Sequence, residues 1–204
     1  YHRAGRAASP ITAIAAAAGC GASIGMALLA GHHQAPMLEI LAVGGVFLFH
    51  LLIRQNRLRR IGLFAVTGVF AFLVGAALLL PAFEYGSRAY RWVNLREPVR
   101  LDQMVPYMAQ QNLALRPMEL LGLVMPIEEG TAHPFVGFAP AVLAVLGIFT
   151  CWQNRAVRLH AGLSLAGLAY ALGPFSIWQG VAYALVPFLN KGRSPGYAVL
   201  VFHF

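Results

Sequence analysis

The sequence predicts an all-α fold, a polytopic transmembrane helical bundle of about five to six spans with interfacial outer helices, and three observations carry that prediction. The chain is 59% hydrophobic and only 11% charged, whereas soluble domains carry about a quarter charged residues. Its apolar residues come in blocks of roughly 20, and at about 1.5 Å rise each such a block matches a hydrocarbon core of about 30 Å. The basic residues gather in short clusters between the blocks, and the clusters 54–60 and 155–158 contain no acid. Acid-free basic loops are the mark of the cytoplasmic side.

The elements follow in order. Residues 11–30 are uncharged and rich in Ala and Gly, which suits a helix that approaches its neighbours closely. The polar knot at Gly31 to Gln34 ends it, and Pro36 suits the first turn of a second span, 36–53. The basic loop 54–60 precedes a third uncharged span, 61–80. This span runs outward and delivers Pro81 and the residues after it to the far side. An outer segment over 81–134 mixes Arg88, Arg91, Arg96, Arg100 and Arg116 with six acids and with Tyr90, Trp92 and Tyr107. Long loops translocate despite such charge, and charges mixed with aromatics predict helices lying on the bilayer surface. Residues 118–125 are apolar but too short to cross.

A fourth span is predicted over 135–152 and a fifth over 159–173, stopped by Gly173-Pro174. A second outer segment, 174–196, holds an apolar stretch, 175–189, whose length of about 15 residues suits an interfacial or re-entrant piece. Residues 197–204 read as the start of a truncated span. The chain opens at Tyr1 and closes inside that apolar run, so the expectation is an internal fragment forming a single transmembrane domain over 1–204.

The net charge of +8 and the isoelectric point near 10.2 would suggest nucleic acid in a soluble chain. Here the basic residues sit where orientation signals belong: Arg3, Arg6, Arg54, Arg57, Arg59, Arg60, Arg155 and Arg158 all fall in segments placed inside. Nucleic-acid binding is therefore not expected, and the amino end is placed in the cytoplasm. Cys20 and Cys151 lie within apolar blocks and imply no disulfide framework. The His32–His33 pair lacks a third ligand at a recognisable spacing, so neither a metal nor a cofactor is expected.

Several motifs then carry a resemblance. Leu28-Leu29-Ala30-Gly31-His32-His33-Gln34 resembles the "LLAGHPQ" signature that ends a span in the YfhO-like bacterial membrane proteins, a group within the GT-C glycosyltransferase superfamily. Leu80-Pro81-Ala82-Phe83-Glu84-Tyr85 with Ser87-Arg88 resembles that family's "LPxxEYxxxSxR". Pro117 to Leu121 with Met125-Pro126 resembles "PxELLxLxxP", and the stretch from Phe135 through Pro140 to Ala144 resembles "YVGxLPLLLA". Lys191-Gly192-Arg193-Ser194-Pro195 resembles an "RxP" before a later span. The order and spacing cover most of the chain. His33 departs from the usual Pro, and Gly196-Tyr197 stands where another basic residue is expected.

The resemblance implies a multi-pass protein of the bacterial inner membrane, transferring a sugar from a polyprenyl-phosphate donor on the outer face. It also implies that the catalytic carboxylate belongs to an early outer loop lying before Tyr1. Glycosyl transfer needs a base for the acceptor and donors for the leaving phosphate. Glu84, Ser87, Arg88 and Arg91 have helical spacing that would set them near one face, where an arginine fork suits a lipid phosphate. The alternative is a Glu84–Arg88 ion pair that merely anchors the loop.

Glu39, with His32 and Gln34 nearby, reads either as part of a pocket for sugar hydroxyls or as a helix-end charge reaching the interface. Arg193 is a further phosphate candidate, and His50 a structural one. The outer segments 81–134 and 175–194 are expected either to cover together a cavity open sideways to the bilayer, with Trp178 and Tyr183 among its interfacial aromatics, or to lie flat on the lipid and seal the bundle. Pro106, Pro117, Pro126 and Pro187 would break this cover into short helices. Two other classes remain, a lipid or solute transporter or flippase, for which an intramembrane carboxylate and a broken helix are typical, and a non-catalytic membrane scaffold.

Overall fold

The computed structural model describes residues 9–32, 34–53, 56–92, 96–110, 113–126, 133–186 and 188–203. The chain falls into two compact units, Tyr1–Gly86 and Ser87–Phe204, and each is taken by itself.

The first unit is built on three long helices, α1 (Pro10–Leu29), α2 (Gln34–Ile53) and α3 (Arg57–Arg88). All three are long and apolar enough to cross a membrane. Pro10 opens α1, where its missing N–H costs no helical bond. The buried stripe of α1, Ala13, Ala17, Gly21, Ile24, Gly25 and Leu28, follows the three-to-four spacing of one helix face. Ala13 and Ala17 pack on Leu63. Further along, Gly25 lies against Val74, and Leu28 lies against Gly75.

Residue numbers rise together along this seam, so α1 and α3 run parallel, with α2 as the return. Phe47 and Phe64 stack with ring centroids 4.3 Å apart, tying the end of α2 to the start of α3. The buried Thr67 hydroxyl lies 3.2 Å from the Ala17 carbonyl and 3.1 Å from that of Leu63, shared between the two helices. At Gly21 any Cβ would fall on the Thr67 carbonyl. Small residues are what permit so close an approach.

Both ends of α3 depart from expectation. Arg57 to Arg60, expected as loop, form its first turn, because Arg and Leu are strong helix formers. Arg54 and Gln55 lie outside the described residues. At the other end the helix runs past the predicted span end at Leu80, through Pro81, to Arg88. A proline inside a helix removes one bond to the preceding turn, here to Ala77, and need not end the helix when the residues beyond keep their own bonds.

The second unit is made of shorter pieces. Arg91 and Val99 exchange two backbone hydrogen bonds of 2.9 Å as an isolated antiparallel bridge. There follow α4 (Tyr107–Gln110), a 3₁₀ segment Pro117–Leu123, α5 (Phe138–Cys151), α6 (Arg155–Ala171), a 3₁₀ turn Gly173–Phe175 and α7 (Ile177–Leu185). Two more 3₁₀ turns, Leu189–Lys191 and Pro195–Ala198, lead into α8 (Val199–Phe202). Pro106 and Pro117 introduce the short helix α4 and the first 3₁₀ segment, as helix-breaking residues should. Pro187 lies outside the described residues.

The predicted fourth and fifth spans correspond to α5, of 14 residues, and α6, of 17. Among the described residues only α1, α2 and α3 exceed that length while staying apolar. Asn154 caps α6 by accepting the Ala156 amide at 2.9 Å. The helix ends where expected, at Gly173, whose φ of 55° is left-handed. A Cβ there would meet that of Ala114 at 2.5 Å, so glycine suits both the turn and the close approach. α7 has nine residues, about 14 Å of helix, well short of a crossing.

Candidate functional site

Glu84, Ser87 and Arg88 occupy the last turns of α3 and are exposed. None of the three is without an interaction partner. Arg91 does not share their helix face, as its spacing had suggested. The helix ends at Arg88, and Arg91 is extended and paired with Val99. A shared face would need the helix to continue to Arg91, whereas two reciprocal backbone bonds hold this residue in a bridge.

His32, Gln34 and Glu39 belong to the first unit. His32 is exposed in the turn before α2, Gln34 is the first residue of α2, and Glu39 is half-buried in its second turn. His33 lies outside the described residues. Arg193 is exposed in the second unit, between the turns Leu189–Lys191 and Pro195–Ala198. Among the described residues no three His, Cys, Asp or Glu side chains gather as a metal site.

The most organised polar group lies elsewhere in the second unit, on residues that sequence reasoning passed over. Gln110 and Gln179 are 1% and 0% exposed. The Gln179 amide donates to Oε1 of Gln110 at 2.6 Å, and Gln110 Nε2 donates to the carbonyls of Leu189 and Gly192 at 3.2 and 2.8 Å. These bonds fasten α4 and α7 to the turn that follows α7. Around them the Val105 amide donates to Asn190 at 2.9 Å, and the Tyr183 hydroxyl donates to the Val105 carbonyl at 2.9 Å. The Tyr107 and Tyr183 rings meet edge to face at 5.6 Å.

Two cations complete the node. Lys191 Nζ donates to the carbonyls of Asp102 and Gln103 at 2.7 and 2.8 Å, and Arg91 Nη1 donates to the Lys191 carbonyl at 3.2 Å. Both sets of bonds go to neutral backbone oxygens. The nearby carboxylate of Asp102 lies instead 3.7 Å from Arg100, at the surface. Three buried atoms of the node have no partner among the described residues: Nε and Nη2 of Arg91 and Oε1 of Gln179. Chemically the arrangement provides hydrogen-bond donors and positive charge, the equipment for holding an anion. The only sequence signal for the glutamines is their isolation, Gln179 as the one amide in the apolar stretch 175–189.

Compared with known proteins, the chain matches no family model, no curated protein and no solved structure.

Proposed function

We propose that this chain belongs to a glycosyltransferase of the bacterial inner membrane, acting on the outer face with a polyprenyl-phosphate-linked sugar as donor. Its membrane region would have five or six crossings with the amino end in the cytoplasm. The reading is supported by the order of the YfhO-like motifs along the chain and, above all, by the length of α3. Its 32 residues extend about 48 Å, some 18 Å more than a hydrocarbon core of about 30 Å. Arg57 to Arg60 take up the inner end. In this placement the final eight residues project about 12 Å past the core, so Glu84 falls within the headgroup layer of about 5–8 Å and the long Arg88 side chain reaches back to a lipid phosphate.

In this reading Arg88 binds the donor phosphate with Ser87 beside it, and Glu84 orients the guanidinium. The test is sugar transfer by the full-length protein from a radiolabelled polyprenyl-phosphate sugar, comparing the parent with Arg88→Ala at equal membrane insertion. Transfer should fall by about a hundredfold or more, as when a donor to a developing oxyanion is removed. Unchanged transfer would leave Arg88 as an anchor and remove the reading.

A further inference from the structure

The node around Arg91 holds a donor pair that no described residue of the second unit uses. Nε and Nη2 share one edge of the guanidinium plane and present two parallel N–H bonds, the fork that fits two oxygens of a phosphate or carboxylate. In this structure Nη1 is committed to the Lys191 carbonyl while the fork is buried and unpaired. A buried unpaired donor costs about 1–3 kcal/mol, and more when charged. The fork is therefore a steady cost of the folded state, and the unpaired Oε1 of the fully buried Gln179 adds to it.

The turn that holds Nη1 is itself strained. Phe188, which leads into Leu189–Lys191, has φ 71° and ψ −21°. The left-handed region disfavours a non-glycine residue by about 1–2 kcal/mol, and its ring is 70% exposed, so little packing offsets the strain. The same turn receives the Arg91 and Gln110 bonds and the Val105 amide. It is tied to Arg91 at Nη1 and held by these polar contacts.

We infer that the Arg91 fork forms an oxyanion site for a phosphoryl group, closed in this structure and opened when the turn 188–192, tied to Arg91 through Nη1, lifts as the anion binds. The Arg91 guanidinium supplies both the charge and the fork geometry, and its Nη1 bond goes to a neutral carbonyl. Tyr90 and Trp92 flank Arg91 and are 61% and 66% exposed. Paired exposed aromatics are typical of the membrane interface, which sets the fork at lipid headgroup depth. The site itself stands on these contacts alone. Only the choice of a polyprenyl phosphate as its natural source rests on the function proposed above.

The test uses the full chain in phosphatidylcholine nanodiscs, with and without polyprenyl phosphate, and separately with inorganic phosphate at constant ionic strength. Binding is read from thermal unfolding, and lifting of the turn from hydrogen exchange at the Val105 amide. Polyprenyl phosphate should stabilise the parent chain and speed exchange at Val105, and Arg91→Lys, which keeps the charge but loses the fork, should bind about tenfold more weakly. Binding of inorganic phosphate with no preference for the lipid keeps the site and removes the lipid-linked donor from it. That result is independent of the Arg88 transfer assay. If Arg91→Lys fails to fold, the parent chain still decides: binding without faster Val105 exchange overturns the lifting turn. No binding of either probe, or equal binding by Arg91→Lys, overturns the site.

Discussion

Replacing Gly21 by alanine tests a close contact between α1 and α3. A Cβ at this position would meet the Thr67 carbonyl, the Phe70 Cβ at 2.9 Å and the Ala71 amide at 3.0 Å. Two of these are backbone atoms of α3, so no rotamer change relieves the clash and the helices must separate. Overpacking of this kind costs about 1–3 kcal/mol, against a gain of about 1 kcal/mol from replacing glycine in a helix. Gly19, two residues earlier in α1, supplies the control, because a Cβ there meets nothing within 4 Å. The propensity gain is common to both variants, so Gly21→Ala should be less stable than Gly19→Ala by about 1–3 kcal/mol. Reversible unfolding in mixed micelles, followed by circular dichroism across a dodecyl sulfate titration, measures the difference. Two variants of equal stability would show that α1 and α3 do not meet at Gly21.

Other expectations follow from the same contacts. Thr67→Val keeps the volume but loses the hydroxyl shared with Ala17, and should cost about 0.6 kcal/mol, the average for such bonds between membrane helices, in the same titration; a cost above that of Gly21→Ala would contradict the weight given to close approach. Gln179→Leu leaves Oε1 of the buried Gln110 without its donor and should destabilise the second unit by about 1–3 kcal/mol, seen as faster hydrogen exchange at the Leu115 and Val105 amides. A neutral Gln179→Leu would mean the amide pair is not buried as described. In the transfer assay Arg88→Lys, which keeps the charge without the fork, should recover part of the activity lost in Arg88→Ala, whereas equal loss in both would argue for a purely geometric role.

Much of the first unit was legible because one signal dominates it. Uninterrupted apolar blocks of about 20 residues leave few alternatives to a spanning helix, and α1 and α2 fall close to the predicted 11–30 and 36–53. The helix α3 extends beyond the predicted span 61–80 at both ends, because that span was bounded by its apolar run rather than by its backbone. Charge sets which side of a membrane a residue lies on, not whether its backbone is helical. The second unit was harder, since its 3₁₀ turns and four-residue helices are held by long-range bonds such as those of Gln110 to Leu189 and Gly192, and no local periodicity reports them. Arg91 illustrates this most clearly: its partners, Val99 and Lys191, lie 8 and 100 residues away in sequence.

The claim on which the whole account depends is that α3 crosses the bilayer, with Arg57 inside and Arg88 outside. Single cysteines placed at Asn56, Asn154 and Gln103, all exposed positions, in a chain whose Cys20 and Cys151 are replaced by alanine, report it through a membrane-impermeant thiol reagent on intact cells. The account predicts labelling at Gln103→Cys, and at Asn56→Cys and Asn154→Cys only after permeabilisation; labelling of Asn56→Cys from outside would contradict it.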